Sequence, residues 1–190
     1  TIQFAEFAIY QTGGIYGEGA EAAMDRVNAA IERLQQGNYR IEQHETGHSD
    51  YDPEIRMTRV IWKHGTTMVT DYYNDVENYS HSSVHEPGDT LYASWLNRVS
   101  YTSAYDSIYF PEGFGIISDR EIRLVFSYSK DAAYNPCSLF TYRFDEDGNL
   151  SEIEIESMDN IWVGHVTRYV VTRTPESEIQ TWVEAKKAEN

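Results

Sequence analysis

Only one long stretch of the chain repeats with a clean helical period. In Glu18–Gln36, EGAEAAMDRVNAAIERLQQ, the apolar residues Ala20, Met24, Val27, Ile31 and Leu34 step by four, three, four and three. They therefore share one helical face. Asp25, Arg26, Glu32 and Arg33 fall away from that stripe. Gly37-Asn38 follows at once, and a glycine there can adopt the left-handed geometry that ends a helix. From Tyr39 to Arg173 the dominant pattern is alternation of strands and turns. That contrast sets the expected layout, an early helix lying against a large antiparallel sheet.

Several strands follow from the alternation. Tyr39–Thr46 is one. Glu54–His64 and Thr66–Val76 flank Gly65 and predict a hairpin. Leu91–Val99, Glu121–Tyr128 and Ser138–Phe144 alternate as well. Asp145-Glu146-Asp147-Gly148-Asn149 predicts a tight turn into Ile153 and Ile155, which alternate with Glu152, Glu154 and Glu156. That hairpin is expected to show the core one face and water an acidic one. Ile161–Arg173 is apolar on both faces and is expected to be a central strand. Glu77–Asp89 and Pro111–Gly115 read as polar turn and loop. Thr174-Pro175 then opens a second helix, with threonine as its cap and proline in its first position. Ile179, Trp182 and Val183 form the face it buries.

A chain of 190 residues fits a single domain, 1–190, and can bury a core without staples. One cysteine, Cys137, excludes an intramolecular disulfide. The net charge of −16 repels phosphate backbones and anionic membrane surfaces, so nucleic acid is not an expected partner. No apolar run is long enough to span a membrane as a helix. The first residue is Thr1 and not Met, and the composition is acidic and rich in Tyr, Asn and Ser. Together these lead us to expect an extracytoplasmic protein, exported or anchored at a membrane surface through a removed N-terminal leader, as a lipoprotein is.

Motifs that carry chemistry are weak. His44 and His48 are four apart, as are His81 and His85, but on an extended chain four residues span roughly 13 Å, too far for one ion. Asp145, Asp147, Asn149 and Glu156 match four positions of a calcium loop, yet Leu150 stands where the loop needs glycine. A hairpin turn is the simpler reading, and no metal or cofactor is expected. His165 is expected to be a hydrogen-bonded core histidine. The glycines at 13, 14, 17 and 19 do not fit a dinucleotide motif, and no serine lies in a hydrolase elbow.

The remaining candidates are aromatic. Tyrosine occurs 15 times, and Trp62, Tyr72, Tyr73, Tyr92 and Trp95 are the proposed ligand-binding residues, with Tyr101, Tyr105 and Tyr109 beside them in sequence. A flat ring with a polar tip suits both a half-buried sheet and a binding surface. In layout the chain resembles two families of curved-sheet domains, the lipoprotein-carrier-like half-barrel and the nuclear-transport-factor-2-like (NTF2-like) cone. The resemblance implies an α+β fold, one long N-terminal helix packed on a curved antiparallel sheet with a C-terminal helix, and transfers no residue roles. The expected function is non-catalytic: a domain binding an apolar small molecule, lipid or peptide in the concave face of its sheet, where the aromatic rings could also meet a glycan. The alternatives are an interaction or sensor domain with a filled core and a protein partner, and a small NTF2-like enzyme using His or Asp as a base.

Overall fold

The computed structural model of the chain describes residues 20–46, 55–74, 79–88, 110–127, 136–157 and 165–190. Among them are two helices, α1 (Ala20–Gln36) and α2 (Glu176–Ala188). The strands are β1 (Tyr39–Thr46), β2 (Ile55–His64), β3 (Thr67–Asn74), β4 (Tyr79–His85), β5 (Phe110–Ser118), β6 (Glu121–Ser127), β7 (Pro136–Phe144), β8 (Leu150–Ser157) and β9 (Val166–Val171). All nine join one antiparallel sheet in the order β4-β3-β2-β1-β9-β8-β7-β6-β5. The chain meanders outward from β1 to the β4 edge. It resumes at the opposite edge with β5 and meanders back, so β9 pairs with β1 at the centre. The expected centrality of the strand after Ile161 is met by β9, which lies between β1 and β8.

The antiparallel sheet with two helices matches the α+β expectation. The long N-terminal helix expected from the sequence is not found, however: the helix is described over Ala20–Gln36, and its packing residues run only from Ala23 to Leu34. The side chains of Ala20 and Met24 lie outside the described set, as do the predicted strand Leu91–Val99 and Gly164.

Strand parity sorts the core into two layers, because successive side chains leave opposite faces of a sheet. On one face α1 buries Ala23, Val27, Ala30 and Ile31 against Ile41, Ile61, Phe140, Tyr142 and Ile153. On the other, α2 lays Ile179 and Val183 over Val60, Trp62 and Val69. Ile61 and Val60 are neighbours in β2, yet each serves a different layer.

Turns behave as their residues dictate. His64 pairs with Thr67 across a two-residue loop in which Gly65 holds a φ of 60°, the left-handed region glycine enters at little cost. The β7–β8 turn is the hairpin read from DEDGN. Asp145 Oδ1 accepts the amides of Asp147 and Asn149, both at 2.9 Å, and so fixes the turn through its own side chain.

Five sequence readings are corrected. Glu77–Asp89 contains β4, and Pro111–Gly115 lies within β5. Both are edge strands, which pair on one side only. Polar residues suffice for β4, and β5 accommodates Pro111 with a register shift between Pro111 and Gly113. Gly37 does not take positive φ; α1 ends with the Gly37 amide donating to Arg33 O and Leu34 O at 3.2 Å, and Lys63 Nζ donates to Gly37 O at 2.7 Å. Thr174 does not cap α2. Its hydroxyl meets that of Thr172, and Pro175 is the cap residue, with no side-chain cap bond. Finally, the β7–β8 face read as acidic and wet is an ion-pair lattice. Glu152, 8% exposed, lies opposite Arg143 and accepts hydrogen bonds from both Arg143 and Arg168. Arg143 also donates to Glu154 at 3.0 Å.

Candidate functional site

The site is built on the face that α2 covers, beside the β4 edge. In β3, Asp71 is flanked by apolar and β-branched neighbours, and strand parity turns its carboxylate toward α2. It is buried, at 5% exposure. A buried carboxylate needs donors. Trp62 Nε1 donates to Oδ2 at 2.9 Å, and Ser82 Oγ on β4 donates to Oδ1 at 2.6 Å. Ser82 is the direct cross-strand partner of Asp71, and Trp62 sits diagonally from it on β2.

Over this floor the indole of Trp182 from α2 stacks on Trp62, with ring centroids 5.3 Å apart. The stack is closed by cations at both ends. Arg40 lies 4.9 Å from the Trp62 centroid, and Lys186 lies 4.7 Å from that of Trp182. Cations favour the electron-rich face of an indole, so the order Arg40–Trp62–Trp182–Lys186 is electrostatically consistent. Helical spacing places Ile179, Val183 and Lys186 on one side of α2, so the residues that dock the helix also place the ammonium. Trp182 Nε1 is buried and has no hydrogen-bond acceptor among the described residues.

A cleft of about 410 Å³ opens beside this stack, lined by Asp71, Tyr73, Ser80, Ser82, Trp182 and Lys186 among others. Tyr73 is a large aromatic exposed at 37%. Burial, and next the nearby Asp71 carboxylate, push the Tyr73 phenol above its ordinary pKa, so it remains a neutral donor. Lys186 pairs with Glu189 at 3.3 Å. Both oxygens of Asp71 are hydrogen-bonded, so the cleft offers a rigid acceptor, a phenol, serine hydroxyls and the exposed Tyr73 ring.

The aromatic residues proposed from the sequence divide. Trp62 and Tyr73 face α2, Trp62 beneath the cleft and Tyr73 in its wall. Tyr72 faces the opposite side of the sheet, where its ring stacks on His81 at 4.7 Å. Tyr92, Trp95, Tyr101, Tyr105 and Tyr109 lie outside the described residues. Asp71, Trp182 and Lys186 were not among the sequence candidates. Asp71 carried a usable signal, a lone carboxylate inside the apolar run of TTMVTDYY.

The histidines do not converge. His44, on the α2 side of β1, meets Glu42 Oε1 at 3.1 Å, whereas the His81 and His85 side chains fall on the α1 side of β4, His81 also bordering the cleft at this edge strand. His165 is half-buried and immediately precedes β9. No group of three or more His, Cys, Asp or Glu is arranged to hold a metal among the described residues.

Glu42 gives this face a pH dependence. Burial is the largest single influence on its carboxyl and acts to raise the pKa. Arg40, at 2.6 Å, and His44 together overcome it, so the folded pKa lies below 4.5. A depressed carboxyl pKa adds stability that is complete above the unfolded value and is lost as pH falls through the folded one. Between about pH 5 and pH 3, wild type is therefore expected to lose more thermal stability than Glu42→Gln, which has no carboxyl to protonate. Parallel melting curves for the two proteins across that range would contradict this account.

Neither a comparison with known protein families nor one with curated proteins gives a match for this chain.

Proposed function

We propose that this is a non-catalytic, exported or surface-anchored binding domain whose ligand lies in the cleft between α2 and β3–β4. The observation that carries the reading is the Trp62–Trp182 stack seated on the buried Asp71 and opening beside Tyr73. A ligand with a flat apolar face and several hydroxyls suits that lining. The face would stack on Tyr73 beside the edge of Trp182, and the hydroxyls would meet Asp71, Ser82 and Ser80. This is the chemistry of a sugar ring, and it is favoured over a lipid because the floor is polar. The engagement of both Asp71 oxygens favours positioning over proton transfer, which supports binding over catalysis. We take the antiparallel sheet with a helix on each face as a curved half-barrel and the chain as one domain. Export rests on the composition described above.

The reading is tested by recording amide NMR spectra while titrating neutral monosaccharides and short oligosaccharides to millimolar concentration. Resonances of Tyr73, Ser82 and the last two turns of α2 are expected to move. Tyr73→Ala, an exposed position, is expected to weaken binding about tenfold through loss of one stacking face. Absence of any shift across the panel, or affinity unchanged in Tyr73→Ala, would sink the proposal.

A further inference from the structure

On the opposite face of the sheet, at the C-terminal end of α1, lies a second cavity of about 320 Å³. We propose that it binds a small anionic amphiphile, a carboxylate carrying a short apolar body. The floor is apolar. Ala30 and Leu150 are buried there, and the half-buried Leu34 and Val171 complete it. The mouth is cationic, with Arg33 and Arg173 both among the lining residues.

Those two arginines lack a carboxylate partner, as Arg26 and Arg59 do elsewhere among the described residues, but only Arg33 and Arg173 line this cavity. With 31 acidic side chains against 15 basic, most guanidiniums should find a carboxylate, and Arg40, Arg120, Arg123, Arg143 and Arg168 do. Arg33 and Arg173 have no carboxylate partner among the described residues. Arg33 uses Nη2 to donate to Gly148 O at 2.8 Å, which fixes its stem while leaving its other N–H groups to the cavity. Behind the wall the Lys63 ammonium adds a third positive charge, held 2.7 Å from Gly37 O.

Two carboxylates lie near these cations, Asp145 within the lining, and each is engaged through one oxygen. Asp145 Oδ1 holds the turn amides of Asp147 and Asn149, and Glu176 Oε1 accepts from Asn38 at 2.8 Å. The nearby hydroxyls donate within the protein. Ser151 Oγ donates to Arg143 O, and Thr172 Oγ1 donates to Arg40 O. The cavity therefore offers an apolar floor and guanidinium donors, with few hydroxyls for a sugar. An arginine fork matches a carboxylate in two parallel hydrogen bonds.

Octanoate, octanol, octylamine and inorganic phosphate, each titrated by calorimetry and amide NMR, separate the contributions. Octanoate is expected to bind and to shift Leu34, Leu150 and Val171. Octanol and phosphate, each having half of the chemistry, are expected to bind at least tenfold more weakly, and octylamine weakest. Arg173→Ala, at an exposed position with no ion-pair partner among the described residues, is expected to weaken octanoate about tenfold, and Tyr73→Ala is expected to leave it unchanged. Octanol or phosphate binding as tightly as octanoate would overturn the proposal. So would an unchanged affinity in Arg173→Ala, or no octanoate binding at all.

Discussion

Trp62→Ala is expected to destabilise the protein by about 3–5 kcal/mol, the range for truncating a large buried aromatic. Three losses coincide. The ring leaves a void beneath Trp182. The cation–π contact to Arg40 disappears. The Asp71 carboxylate keeps Ser82 but loses its indole donor while remaining buried, and an unmet buried acceptor adds about 1–3 kcal/mol of its own. The damage should be local in the first instance. α2 docks on this face through Ile179, Val183 and the indole stack, so its amides are expected to exchange near the rate of free peptide before those of β7 and β8 do. Urea unfolding gives the magnitude, and native-state hydrogen exchange locates it. Uniform loss of protection across both layers would contradict the layered account. Trp182→Phe is the contrasting case. It keeps a stacking ring and removes a buried N–H without an acceptor among the described residues, so a change within about 1 kcal/mol is expected. A large loss there would mean that the Trp182 N–H is satisfied after all.

Ile31→Ala is expected to cost about 2–5 kcal/mol, and the site favours the upper half of that range. Ile31 is 1% exposed, and the neighbouring Val27 and Ile41 are fully buried. Its surroundings are α1 and the sheet, which have little freedom to collapse into the space a truncated side chain leaves. The urea midpoint should fall with the slope unchanged, because the surface exposed on unfolding stays nearly the same. Combined with Trp62→Ala the losses should add within about 0.5 kcal/mol, since the two residues serve opposite faces of the sheet and share no core cluster. A strong departure from additivity would show that the two layers communicate through β2.

The strands legible in the sequence are those with one face against a helix. β1, β7 and β8 alternate because each contributes an apolar row to the α1 layer, as Ile153 and Ile155 do against Glu152 and Glu154. β4 and β5 were illegible for the converse reason. An edge strand is held by backbone hydrogen bonds from one neighbour, and Ser-His or Pro-Gly sequences satisfy that requirement. Of the site, the aromatic half was legible and the polar half was not. Trp62 and Tyr73 stood out by residue type, but Asp71 acquires meaning only when Ser82, eleven residues on, is known to lie opposite it. Strand parity could have separated Tyr72 from Tyr73 in advance, since adjacent side chains in a strand leave opposite faces of the sheet. The wetness of the β7–β8 acidic face was misjudged because Arg168, sixteen residues beyond Glu152, comes beside it only through the pairing of β8 with β9.

The central pairing of β1 with β9 also sets how the molecule answers a pull. Tyr39 begins β1 and Val171 ends β9. The rungs Ile41–Val171 and Thr172 N to Arg40 O, at 2.9 Å, lie at the same end of that ladder. Force transmitted from the segment before Tyr39 and the segment after Thr172 therefore loads these hydrogen bonds one after another, in the manner of a zipper. A shear geometry would load them together. Once the two helices are lifted from their faces, the seam between the meanders is a mechanically soft line running through the middle of the largest sheet, and it would part at low force while the hairpins on either side stayed intact.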